Sequence, residues 1–128
     1  MSNIEILNHA KRLKLPNFKY RMRNEFKKDE KPLKVECGII NLDDKNGRGS
    51  HHCCWFKNND NKIYFDSFGV QPPKELVKYL QSPILYNTYQ IQEYNESNCS
   101  EWSLHILNEL NKGRDFIDII LEIINKDK

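Results

Sequence analysis

Apolar residues recur with helical spacing from the start of the chain. Ile4, Leu7 and Ala10 fall on one face, with Ile6 and Leu13 beside it. Ser2 or Asn3 can cap this helix, Pro16 ends it, and His9 falls on its polar, exposed side. Residues 17–32 are basic and poorly patterned; they read as mostly loop, with a turn of helix around Arg23 to Phe26. Leu33 to Leu42 then alternates as a strand does: Leu33, Val35, Cys37 and Ile39 on one face, Lys34, Glu36 and Gly38 on the other. Cys37 reads there as a small core residue. Asp43 to Ser50 is a polar, Gly-containing loop.

The strongest hairpin signal follows. His51 to Phe56 and Lys62 to Phe65 flank the turn Asn58-Asn59-Asp60-Asn61. Gly69 to Pro73 is a turn, and a short helix from Lys74 to Gln81 starts behind Pro72-Pro73, offers Leu76, Val77 and Leu80 to the sheet, and is ended by Pro83. Tyr86 to Ile91 reads as a short strand and Glu93 to Asn98 as a polar turn. A helix opens at Cys99, with Ser97 or Asn98 as its cap and Glu101 in its first turn. Its buried stripe is Trp102, Ile106, Leu107 and Leu110, which leaves His105 exposed and Ser103 beside the stripe. Gly113 stops it, and Asp115 can cap a last helix from Phe116 to Asn125. That helix is apolar nearly all round, so it is well buried or contacts a partner.

This mixture predicts an α+β fold: a small mixed sheet with flanking helices. A length of 128 residues allows one domain with a modest core, and no repeat or linker divides residues 1–128. Twenty basic against eighteen acidic residues do not mark a nucleic-acid binder overall. The first 34 residues are different, with ten cations facing four acids. That is either a solvated face or a weak contact surface for DNA or an acidic partner. No apolar run is long enough to span a membrane, and no secretion signal is visible. Cys37, Cys53, Cys54 and Cys99 lack disulfide-framework spacing, which fits a reducing compartment.

Cys99 carries the chemistry. On the first turn of a helix, unpaired N–H groups and the positive end of the dipole favour a thiolate. Gln92 lies seven residues earlier, where its amide can return to hold an oxyanion. If the hairpin turns at Asn59-Asp60, Asp66 stands opposite Cys53 with His51 its diagonal neighbour; a shift of one residue would substitute His52. The pattern leaves both histidines open. His51-His52-Cys53-Cys54 also invites a zinc reading. Successive strand side chains point to opposite faces, so four consecutive residues do not close one tetrahedral site. No metal and no cofactor is expected.

Gly49-Ser50-His51-His52, then Tyr64-Phe65-Asp66-Ser67-Phe68-Gly69, then Gln92, then Cys99-Ser100-Glu101-Trp102-Ser103-Leu104 resemble, in order and spacing, the adenovirus-type cysteine endopeptidases (adenain). These are relatives of the SUMO-specific proteases, with kin in virophages and Maverick/Polinton elements. The likeness runs from the first helix to about Leu110. It departs at Ser100 for Gly, Ser103 for a second Cys, and His52 for an aromatic residue. The resemblance implies a single papain-like domain with the nucleophile at the start of the central helix. It chooses His51, and with it a site of His51, Asp66, Gln92 and Cys99. It implies cleavage of capsid or core precursor polypeptides at Gly-containing sites during particle maturation, in the virion and in the host cytoplasm or virus factory. Three other functions share these features: an isopeptidase for ubiquitin-like tails, a non-catalytic binding domain that kept the fold, and a nucleic-acid-binding module.

Overall fold

The Asn-rich turn closes the hairpin where its chemistry predicts. In the computed structural model, which describes residues 1–43, 51–92 and 98–126, β3 (His52–Asn58) and β4 (Asn61–Phe65) pair antiparallel. Asn58 lies opposite Asn61, and Asn59 turns the corner at φ 57°, a conformation Asn tolerates. Cys54 pairs with Phe65, so the next pair in this register sets Cys53 against Asp66.

β2 (Val35–Asn41) joins β3 antiparallel, and β1 (Phe18–Met22) joins β2 in parallel at one edge. β5 (Leu85–Tyr86) pairs in parallel with β4 at the other edge, giving the order β1-β2-β3-β4-β5. Both faces are covered. On one, α1 (Asn3–Arg12), α3 (Cys99–Asn111) and α4 (Phe116–Lys126) pack over Cys37, Ile39, Cys54, Phe56 and Phe65. On the other, α2 (Lys74–Leu80) packs over Ile40, Cys53, Trp55 and Tyr64. The α+β architecture with a mixed sheet is as expected, and Cys53 and Cys54 part to opposite faces. Leu104, Ile106 and Leu107 of α3 are at most 1 % exposed. Truncating Leu107 to Ala would cost about 2–5 kcal/mol. Gly38 is required where it stands: a Cβ there would lie 2.4 Å from the Trp55 ring and from the Lys19 carbonyl oxygen.

Several elements differ from the expectation, each for a physical reason. Residues 17–32 contain a strand, β1, and not only loop. Its alternation was masked by cations: Phe18 and Tyr20 pack on the first core, while Lys19 and Arg21 point to the other face and pair with Glu36 and Glu30. The second face of β2 is likewise buried, with Glu36 fully inaccessible beneath α2. In α2 Tyr79 is buried beside Leu76 and Leu80, whereas Val77 is half-buried. In α1, which Ser2 and Glu5 close with a capping box, the buried residues are Ile6 and Ala10. Ile4 and Leu7 are exposed and His9 is half-buried. The strand expected over Tyr86 to Ile91 stops at Tyr86. Beyond it the chain folds onto the loop after β4, where the Ile91 and Gln92 N–H groups both donate to the Ser67 carbonyl in place of a ladder. In α3 Leu104 is buried and Trp102 only half so. The nearly all-apolar α4 buries Phe116, Ile119 and Ile123 but leaves Ile117 and Leu121 about half exposed. Gly113, at φ 92°, ends α3 as expected. The loop and turn expected at residues 44–50 and 93–97 lie outside the described residues.

Candidate active site

The start of β3, the loop after β4 and the first turn of α3 converge at one point. His51 precedes β3 and turns toward Asp66, with Nε2 2.7 Å from Oδ1. The Asp66 carboxylate is held in its turn, because Oδ1 also accepts the Phe68 N–H at 2.8 Å. The Asn87 side chain clamps the Asp66 backbone, accepting its N–H and donating to its carbonyl. Gly69, at φ 75°, closes this turn by donating its N–H to the Asp66 carbonyl; a Cβ there would meet the Thr88 carbonyl oxygen at 2.7 Å. The Phe68 ring stacks on the His51 ring with centroids 4.1 Å apart. Every rotation of the imidazole is therefore constrained.

Cys99 opens α3 and is 6 % exposed. Asn98 occupies the cap position and its carbonyl accepts the Trp102 N–H, but its side chain makes no capping bond; Ser97 lies outside the described residues. The His52 backbone N–H donates to the Cys99 sulfur at 3.4 Å. Burial alone would raise the thiol. Hydrogen bonds from the His51 ring, the His52 ring and the His52 N–H, with the His51 charge, outweigh it and bring Cys99 down to about 6. Burial likewise opposes charge on His51, but its bonds to Asp66 and Cys99 and their charges lift it to about 9. Since Nε2 is bound to Asp66, Nδ1 is the ring nitrogen that meets the sulfur. At neutral pH the pair is a thiolate and an imidazolium. The other three thiols differ: burial pushes Cys37 up to about 12 and raises Cys53 and Cys54 well above the ordinary range.

Gln92 is 1 % exposed and tied to the Asp66 side of the site. Its N–H donates to the Ser67 carbonyl and its Oε1 accepts the Ser67 hydroxyl. Residues 93–97, which join it to Cys99, lie outside the described residues. The geometry thus brings His51, Asp66 and Cys99 together and anchors Gln92 one residue from Asp66 in space. The register selects His51 over His52 as the partner of Asp66. Ser103 packs fully buried, as expected, and its hydroxyl reaches the His52 carbonyl at 3.4 Å. His51, Cys53 and Asp66 also bring ligand-type atoms within 4.8 Å of one another, because residues 51 and 53 share a side of the strand. Sequence reasoning missed Phe68, Asn87, Tyr20 and Asn41. Only Phe68 had a local signal, two residues beyond Asp66.

Protein-family models give no match to this chain, and no curated protein matches it. Solved structures do. The chain is similar to a crystal structure of the ASFV pS273R protease, with TM-score 0.55 and 14 % identity over 79 % of this chain and 52 % of that one. It is also similar to the selenomethionine form of that protease, with TM-score 0.53 and 17 % identity over 68 % of this chain and 38 % of that one. The chain thus spans about half the length of the protease it matches. At these identities the likeness establishes one thing, and establishes it plainly: this chain carries the fold of a protease.

Proposed function

We propose that this chain is a cysteine endopeptidase with Cys99 as nucleophile, His51 as general acid and base, Asp66 as the group that orients His51, and Gln92 as an oxyanion donor. The observation that carries the reading is the His51 ring, held by Asp66 at 2.7 Å and meeting a thiol lowered to about 6 at a helix start. The Cys99 thiolate attacks a peptide carbonyl carbon, and the carbonyl electrons move onto oxygen. The Cys99 backbone N–H and the Gln92 amide stabilise that oxyanion. Collapse breaks the C–N bond, and the departing amine takes the proton from His51. A thioester remains. Water attacks it as His51 removes a proton, and the C–S bond breaks to release the acid and restore the thiolate.

An open groove of about 950 Å³ passes His52 and is lined by Leu7, Phe18, Tyr20, Met22 and Asn41; it is the candidate path for the substrate chain. The substrates we propose are capsid or core precursors, cut at Gly-containing sites during particle maturation. The resemblance of the motif order to the adenovirus-type endopeptidases supports this; the shared fold supports a protease and no particular substrate. Weak DNA contact through the basic N-terminal third is a separate proposal, although Lys19 and Arg21 are already paired with Glu36 and Glu30.

The test is mass spectrometry of co-encoded structural proteins before and after incubation with the chain, with Cys99→Ala beside it. Cleavage by the parent and none by a folded Cys99→Ala supports the reading. Equal cleavage by both sinks it. A ubiquitin-like fusion cut faster than a Gly-Gly peptide would redirect it to isopeptidase chemistry.

A further inference from the structure

We propose that His52 is a second catalytic partner of Cys99: an imidazole whose Nδ1–H, oriented by Tyr20 and Asn41, donates to the sulfur from the side away from Asp66. The inference rests on Cys99 being the nucleophile and deepens that reading. Strand alternation turns His52 toward the face that α3 covers, whereas His51 turns to Asp66. His52 is 8 % exposed. Its backbone N–H donates to the Cys99 sulfur and its carbonyl accepts the Ser103 hydroxyl, so the first turn of α3 is docked on this one residue.

The ring is oriented by a chain of hydrogen bonds. His52 Nε2 lies 2.9 Å from the Tyr20 hydroxyl, which in turn lies 3.4 Å from Asn41 Nδ2. Asn41 pairs directly with His52 across β2 and β3. An amide nitrogen only donates, so Tyr20 accepts from Asn41, and its own proton is available to Nε2. Burial, and the charges of Glu25 and Cys99, favour the protonated phenol. A ring that accepts at Nε2 carries its proton on Nδ1, and the His52 ring is a hydrogen-bond partner of Cys99. The groups facing Cys99 are then His51 with Asp66 behind it, His52 and Tyr20, with Cys53 on the far face of the sheet, while Glu101 of its own helix pairs with Ser100 and the chain amine. The labour is divided. His51 moves the proton, and His52 solvates the buried thiolate without competing for that proton. An aromatic hydrocarbon at this position would leave the backbone N–H to do so alone.

The experiment is the pH dependence of Cys99 alkylation by iodoacetamide, followed by mass spectrometry, with Gly-Gly peptide kinetics and thermal melts on the same proteins. For His52→Phe the expected alkylation rate at neutral pH is about tenfold lower, with the inflection moved to higher pH, as loss of a hydrogen bond to a charged group requires. The loss should fall on kcat and leave KM within about twofold. His52→Asn, whose Nδ2–H can stand where the imidazole Nδ1–H stands, should stay within about threefold of the parent. Tyr20→Phe should lie between them. An unchanged alkylation profile in folded His52→Phe overturns the proposal, and so does an equal loss in His52→Asn and His52→Phe. If His52→Phe does not fold, an unchanged profile in Tyr20→Phe overturns it. Alkylation needs no substrate. If the parent cuts nothing, the protease reading fails while the alkylation series still decides the role of His52.

Discussion

Two buried carboxylates sit on the same sheet and do opposite things. Glu36 is fully inaccessible and accepts four donors: Lys19 Nζ at 2.9 Å, Trp55 Nε1 at 2.9 Å, the Tyr79 hydroxyl at 2.8 Å and the Leu33 N–H at 2.8 Å. Asp66 is 1 % exposed, yet its bonds to His51 and Phe68 both fall on Oδ1, and Oδ2 has no hydrogen-bond partner among the described residues. A saturated carboxylate ties β1, β2, β3 and α2 together. A carboxylate that spends one oxygen on one titratable ring can bias that ring's charge while the fold stays as it is. On the proposed function, the first is a structural charge and the second acts on His51.

The largest expected effect separates the two roles. Asp66→Asn should lower kcat by roughly a thousandfold or more, because the amide no longer fixes the useful tautomer or favours the imidazolium. Its melting temperature should stay near the parent's. A loss of only a few fold would place Asp66 in the same class as Glu36. The pH profile sharpens this. Activity should rise through about 6, as Cys99 ionises, and fall through about 9, as His51 loses its proton. Removing the Asp66 charge withdraws what holds the imidazolium, so in Asp66→Asn the alkaline fall should come at lower pH.

The converse change should act on stability. Glu36→Ala takes the acceptor from Trp55, Tyr79 and the Leu33 N–H and the nearer of two carboxylates from Lys19; it should cost about 3–5 kcal/mol in denaturant unfolding, with kcat of the folded fraction nearly unchanged. A large loss of kcat with intact stability would reverse the assignment. Tyr79→Phe removes one donor from Glu36 and should cost about 1–2 kcal/mol by the same measurement. The smallest effect is expected at Cys53, which stands across from Asp66: Cys53→Ser should keep activity within about tenfold. Complete loss in a folded variant would mean that this thiol takes part in the chemistry.

Much of the site was legible because its parts are local. The Asn58-Asn59-Asp60-Asn61 turn sets the hairpin register, and that register alone carries Asp66 to Cys53 and within reach of His51. Apolar spacing placed α1, α2, α3 and α4 within a few residues of their bounds. Elements whose polar residues are buried against partners far along the chain were not legible. β1 looked like a basic loop because Lys19 finds Glu36 seventeen residues away, and nothing near Glu36 in the chain shows that α2 returns over it. The stretch after Tyr86 looked like a strand because its β-forming side chains are real, but the loop after Asp66 takes its backbone bonds.

By itself, then, the sequence determined the hairpin, the helix start that carries Cys99, and which residues are candidates for acyl-transfer chemistry. These follow from turn preferences and periodicity, which act over a few bonds. Only the tertiary structure decided which histidine faces Asp66, which of the four thiols is lowered, and that the His52 N–H reaches Cys99 while its ring reaches Tyr20. Those outcomes depend on burial and on charges brought together from β1, β2, β3 and α3, and desolvation is a property of the packed assembly that no segment possesses alone.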